Sequence, residues 1–380
     1  MSAGVTTPNR VLALDGLRGL AALVVIIGHG FGAIEIPGHW GRLLWVHSPF
    51  AIVINSIGAV HLFFVLSGYC LAGSAERGRH WLDVAQFYVR RIFRIHPPYV
   101  VAVLATWLLS FFYVIPATGH GVSQEYVRHL QVHISAGSML SALKFPGSAE
   151  GQFPHGYTLE VEMIFSFLLP LMMWVSRRFH WSLLLPLSAW ALSSQDAIHA
   201  SQRFTLDFTL GIGLYQERER LGRAFAKLPS LGAVALLLLG LAVFTYPTYA
   251  IEMFSWWAII PFALGGSVLV AGAIHLPRFA AALSVRPVAA LGRLSYSIYL
   301  LHFGVLCWMT RWIHGQLGVW QGAGFIAVVV ACTLLISAGS YRWIERPSIR
   351  LGNRVCSWLA GSLGARARPS QRFIEEPGPG

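Results

Sequence analysis

Residues 14–30 read LDGLRGLAALVVIIGHG. The run is apolar or glycine except at Asp15, Arg18 and His29. With its apolar flanks it is long enough to cross a hydrocarbon core of about 30 Å as a helix. Ionisable groups are costly there, so they mark a function unless they only pair helix to helix. At 100° per residue the three side chains fall within about 60° of one another. Ala22 and Val25 share that stripe. The face therefore turns into a bundle, not into lipid. Asp15 and Arg18, three apart, can simply pair with each other; His29 has no partner in its own helix.

The rest of the chain has the same character. Of 380 residues 55% are hydrophobic and 12% charged, with a mean hydropathy of +0.59. A soluble domain carries about 25% charged residues. Apolar runs recur near 11–34, 50–73, 97–116, 158–176, 181–194, 204–216, 230–248, 255–275, 287–310 and 321–343. They predict an all-α, polytopic transmembrane helix bundle of ten spans. The first run is longer than a signal-peptide core and is expected to remain as a helix. Cys70, Cys307, Cys332 and Cys356 show no metal or pairing spacing and read as small buried hydrophobes.

The net charge of +12 suggests nucleic acid, but its placement suits membrane topology better. With both termini cytoplasmic, 23 of the 28 Lys and Arg residues fall on inner segments and inner helix ends. Arg177–Arg178 and the basic 217–227 stretch both lie inside, so an even number of spans separates them. Residues 1–10 form a cytoplasmic segment and 11–347 the transmembrane domain. Residues 348–380 form a cytoplasmic tail expected to be disordered. Residues 117–157 form a long outer loop suited to covering a site.

Counting depth from the span ends puts His29 about five residues, roughly 7 Å, below the outer edge. Glu162 in the fourth span and His302 in the ninth reach a similar layer. Glu160 lies about 200° from Glu162 on the wheel and cannot face the same site. A His–Glu pair suits general-base chemistry on a hydroxyl, because a carboxylate fixes the imidazole tautomer and stabilises the imidazolium. His61, near mid-membrane, reads equally as a packing residue or a site member. On the cytoplasmic side, FYVRRIFRIHPPY (87–99) sets Arg91 and Arg94 three apart on one face. Two such guanidinium groups suit a polyanionic ligand such as nucleotide phosphates, or lipid headgroups. No glycine-rich phosphate loop is present.

Six stretches together resemble the acyltransferase-3 family of membrane O-acyltransferases: LDGLRGLAALVVIIGH, HLFFVLSGYCLA, FYVRRIFRIHPPY, YTLEVEMIFSFLLP, LGRLSYSIYLLH and IERP. They occur in the family's order from residue 10 to about 347. Tyr157, Glu160, Ser166 and His61 depart from its usual residues. The resemblance implies acyl transfer, usually from cytoplasmic acetyl-CoA as co-substrate, to a hydroxyl of a carbohydrate, lipid-linked glycan or secondary metabolite. No cofactor stays bound. It implies a catalytic His29 supported by Glu162, and a donor site of Arg18, Arg91 and Arg94. Asp15, His61 and His302 are supporting candidates. It also implies the stand-alone form, without an added esterase-like domain, in a bacterial cytoplasmic membrane. The same membrane histidines and carboxylates also suit a relay in a proton-coupled transporter or a polysaccharide flippase. No internal repeat of the kind transporters often carry is evident.

Overall fold

The computed structural model describes residues 8–35, 48–76, 81–112, 121–131, 135–144, 156–193, 200–250 and 255–362. These are helical, with a single isolated β-bridge between Ile34 and Val122 and no strand. The helices are α1 (Pro8–Ala33), α2 (Ala51–Ile54), α3 (Ser56–Ala75), α4 (Trp81–Ser110), α5 (Gln124–Gln131), α6 (Ala136–Lys144), α7 (Gly156–Phe179), α8 (Leu184–Ser193) and α9 (Thr205–Gln216). They continue as α10 (Arg218–Phe225), α11 (Ser230–Ala250), α12 (Trp256–His275), α13 (Pro277–Leu283), α14 (Arg286–Met309), α15 (Val319–Ser340) and α16 (Arg346–Ser362).

Among the described residues, eight helical segments are long and apolar enough to cross a membrane, against ten apolar runs in the sequence. The fifth and sixth expected spans are α8 and α9, of 10 and 12 residues. At 1.5 Å per residue neither reaches across about 30 Å of hydrocarbon. The short helices come as a pair, which is compatible with an even number of crossings between the flanking basic loops. The tail also differs from expectation. Residues 346–362 form α16, whose Ser348, Gly352 and Cys356 pack on α4. That amphipathic face overrides the polar composition, so disorder from residue 348 is not what the chain does. Residues 363–380 and 1–7 lie outside the described residues.

Helix α1 is the centre of the bundle. It packs most extensively on α14 and also touches α3, α13 and α15. The contact with α14 requires Gly19 and Gly292. A methyl group at Gly19 would lie 2.4 Å from the Gly292 amide nitrogen, and one at Gly292 would lie 2.1 Å from the Asp15 carbonyl oxygen. Without side chains at these points the two backbones meet directly, as small residues allow in membranes. Ala22, Val25 and Ile26 of α1 are buried beyond this contact.

Helix α4 was expected to begin near residue 97. It begins at Trp81 and runs through Pro97 and Pro98 without a break. A proline inside a helix removes the N–H that would bond the carbonyl four residues back. For Pro97 that carbonyl belongs to Phe93, and the Ser348 hydroxyl of α16 donates to it instead. The Tyr296 hydroxyl of α14 donates to the Ile95 carbonyl at 2.7 Å. The segment carrying Arg91 and Arg94 is thereby continuous with the span.

Candidate active site

Two polar clusters are built on one face of α1. Arg18 and His29 are eleven residues apart, about 16 Å along the axis and about 20° in rotation. His29 anchors the outer cluster. Its Nδ1 is 2.9 Å from the Tyr126 hydroxyl of α5. Its ring centroid is 5.3 Å from that of His302 on α14, and the Phe303 ring stands edge-on at 6.4 Å. His302 is fully buried and lies 2.7 Å through Nδ1 from the Tyr299 carbonyl. A carbonyl only accepts, so Nδ1 carries the proton and the neutral ring has its lone pair on Nε2. The Thr158 hydroxyl of α7 donates to the Tyr299 hydroxyl at 2.7 Å.

The inner cluster holds three arginines and three carboxylates. Arg18 Nη1 is 3.5 Å from Asp15 Oδ1, and its Nη2 reaches Cys70 Sγ on α3 at 3.8 Å. Arg91 Nη2 donates to Glu162 Oε1 at 2.6 Å and its Nε to the Ser166 hydroxyl at 3.0 Å. Ser166 in turn donates to the Glu162 carbonyl at 2.6 Å. Glu345 is the third carboxylate. It ends a π-helical turn, Tyr341–Glu345, between α15 and α16, is buried, and accepts from the Ser297 hydroxyl at 2.7 Å. It lies in the electrostatic field of Arg94. Arg94 itself makes no hydrogen bond or ion pair among the described residues. Arg18 and Arg91 are neutralised by neighbours, whereas Arg94 has no such partner among the described residues.

A third pair lies apart from both. His61 Nδ1 is 2.9 Å from Asp207 Oδ2 of α9, with both side chains buried. The imidazole is stacked on Phe262 at 5.2 Å and tilted against Phe204 at 5.0 Å.

A family model described as an acyltransferase domain, acyltransferase 3, matches residues 11–341. The chain belongs to the acyltransferase 3 family. BcsY of Komagataeibacter xylinus, a protein named as a membrane-bound transacylase, is 28% identical over 363 residues, covering 91% of this chain and 85% of its own. The O-acetyltransferase OatA of Staphylococcus aureus strain NCTC 8325 / PS 47 is 30% identical over 102 residues, 26% of this chain. That match spans 16% of OatA's length. No solved structure matches the chain.

Set within this acyltransferase 3 chain, the residues expected at the site divide. Arg91 comes together with Glu162, Arg18 with Asp15, and His29 with His302. Glu162 does not support His29; its carboxylate is taken by Arg91. The expected histidine–carboxylate pair exists, but on His61 and Asp207. His61 therefore belongs to the α3–α9–α12 core and not to the His29 cluster. The sequence reading missed Tyr126, Tyr299, Ser166 and Glu345. Glu345 stood in the quoted IERP stretch, and Tyr126 in the outer loop read as a cover.

Proposed function

We propose that the chain is an O-acyltransferase that moves an acyl group, most simply acetyl, from cytoplasmic acyl-CoA to a hydroxyl. The acceptor class is a carbohydrate (exopolysaccharide, O-antigen or lipo-oligosaccharide) or a secondary metabolite. The setting is a bacterial cytoplasmic membrane with both chain termini inside. The observation that carries this reading is the placement of His29 and Arg18 on one face of a single helix, each in its own polar cluster. The names of the relatives, a transacylase and an O-acetyltransferase, support the same chemistry.

In this reading Arg94, backed by Arg91 and Arg18, holds the phosphates of CoA from the cytoplasmic side. The thioester arm extends along α1 towards His29. The His29 imidazole takes the proton of the acceptor hydroxyl. The oxygen attacks the thioester carbonyl, the carbon–sulfur bond breaks, and the CoA thiolate leaves and takes up a proton. The products are an ester and free CoA. His29 carrying the acyl group briefly itself is the covalent variant of the same transfer.

The test is purified protein in vesicles with labelled acetyl-CoA and isolated envelope glycans. Free CoA and labelled glycan are expected in equal amounts. His29→Ala should lower turnover by about 10²–10⁴ while the protein accumulates normally. Movement of solute without consumption of the thioester, as in a proton-coupled transporter or flippase, would overturn the reading.

A further inference from the structure

The His29 imidazole is held by a phenol that comes from outside the membrane-spanning helices. Tyr126 lies on α5, in the stretch between α4 and α7, with its ring buried and tilted against Phe303 at 5.5 Å. Val127 and Leu130 of the same helix join the apolar cluster formed by Ile26, Ile34 and Phe303. The backbone fixes the seat further. Ser123 N–H donates to the Ala33 carbonyl at 2.9 Å and Glu35 N–H to the Gly121 carbonyl at 2.8 Å, around the Ile34–Val122 bridge. Gly121 has φ +88° and faces Gly315, whose carbonyl oxygen would lie 2.0 Å from a methyl group placed there. So residues 121–131 are clamped between the end of α1 and the connection from α14 to α15.

We propose that Tyr126 is a positioning residue for acyl transfer: its hydroxyl fixes the His29 ring with Nε2 turned to the reacting atoms, and the seated segment 121–131 completes the site. This rests on the reading of His29 as the transfer residue. A neutral imidazole has one donor and one acceptor. When Nδ1–H donates to the Tyr126 oxygen, the lone pair is on Nε2. Once Nε2 takes the acceptor's proton, the same bond becomes charge-assisted and stronger. A phenol does this without adding a second charge to the outer half of the membrane. His302 also faces the ring, and its Nδ1 is already committed to Tyr299. The phenol, 2.9 Å from Nδ1, is placed to choose the tautomer.

The experiment measures CoA release from acetyl-CoA by the full-length protein in vesicles with envelope glycans. Tyr126→Phe keeps the ring and its packing and removes the hydroxyl. It should lower kcat about tenfold or more and leave the acetyl-CoA KM unchanged. Replacing Tyr126 by 3-fluorotyrosine and then 3,5-difluorotyrosine keeps the shape and grades the acidity of the phenol, and kcat should move stepwise with it. That series also decides the matter if Tyr126→Phe does not accumulate. A kcat within about twofold of the parent in Tyr126→Phe, or a flat fluorotyrosine series, overturns the proposal. His29→Ala separates the two levels. If it is inactive while Tyr126→Phe is normal, only the role of Tyr126 fails; if it is fully active, the His29 reading fails and this inference with it.

Discussion

Glu162 gives its carboxylate to Arg91, 2.6 Å from Nη2, and not to His29. The bond ties α7 to α4 and leaves the histidine to a different set of partners. It also separates the consequence of replacing Glu162 from that of replacing His29. Glu162→Gln removes the counter-charge of Arg91 but keeps a hydrogen-bonding oxygen. The expected result is a change of about tenfold in the acetyl-CoA KM, equivalent to about 1.4 kcal/mol, with kcat largely kept. Steady-state turnover against acetyl-CoA concentration measures it. A loss confined to kcat would return Glu162 to the chemistry of His29.

Ser348 supports the donor side from a distance. Its hydroxyl takes the place of the N–H that Pro97 lacks. Ser348→Ala leaves the Phe93 carbonyl without that donor, at a cost of about 1 kcal/mol. The kink then available at Pro97 moves Arg91 and Arg94 relative to α1. A raised acetyl-CoA KM with kcat retained is expected, and Ser348→Thr should behave like the parent.

The meeting of α1 and α14 leaves no room for a side chain. Gly19→Val requires the helices to separate, because even a single carbon at position 19 would lie 2.4 Å from the Gly292 nitrogen. Overpacking of this kind costs about 1–3 kcal/mol. The thermal midpoint in detergent should fall, and activity should fall with it because Asp15, Arg18, His29 and His302 all depend on that interface.

His61 and Asp207 form a buried hydrogen-bonded pair in the core. His61→Ala leaves the fully buried Asp207 side chain without that partner, an effect of about 1–3 kcal/mol. The double variant His61→Phe with Asp207→Leu replaces the pair by apolar volume and should recover most of the thermal midpoint. Recovered stability with turnover close to the parent is the expected outcome. Lost turnover at full stability would give the pair a part in the reaction.

The membrane bundle and the family were legible because each rests on local pattern: apolar run length and short motifs in order. The pairing inside the site was not. The depth count assumed that α7 starts at the outer edge of the membrane. Thr158 instead bonds Tyr299, one turn inward of His302 on α14. Glu162 lies four residues deeper, about 6 Å further along its helix. That takes its carboxylate below His29 and within reach of Arg91, once α4 passes unbroken through its prolines. The difference between ten apolar runs and eight full-length helices among the described residues has a related cause. Hydropathy marks an apolar segment but does not say whether it crosses, and α8 and α9 are half-length. Tyr126 left no periodic signal, since its position depends on the Gly121 turn and the Ile34–Val122 bridge.

The junction at Gly19 and Gly292 also sets a register. His29 lies ten residues beyond the first glycine and His302 ten beyond the second. With the two helices parallel, equal spacing carries both imidazoles to the same height, about 15 Å past the crossing point. Adding or deleting one residue in either ten-residue arm would rotate one ring away by about 100° and shift it by about 1.5 Å. The spacing of the histidines is thus constrained as a matched pair of lengths, and neither arm can change alone.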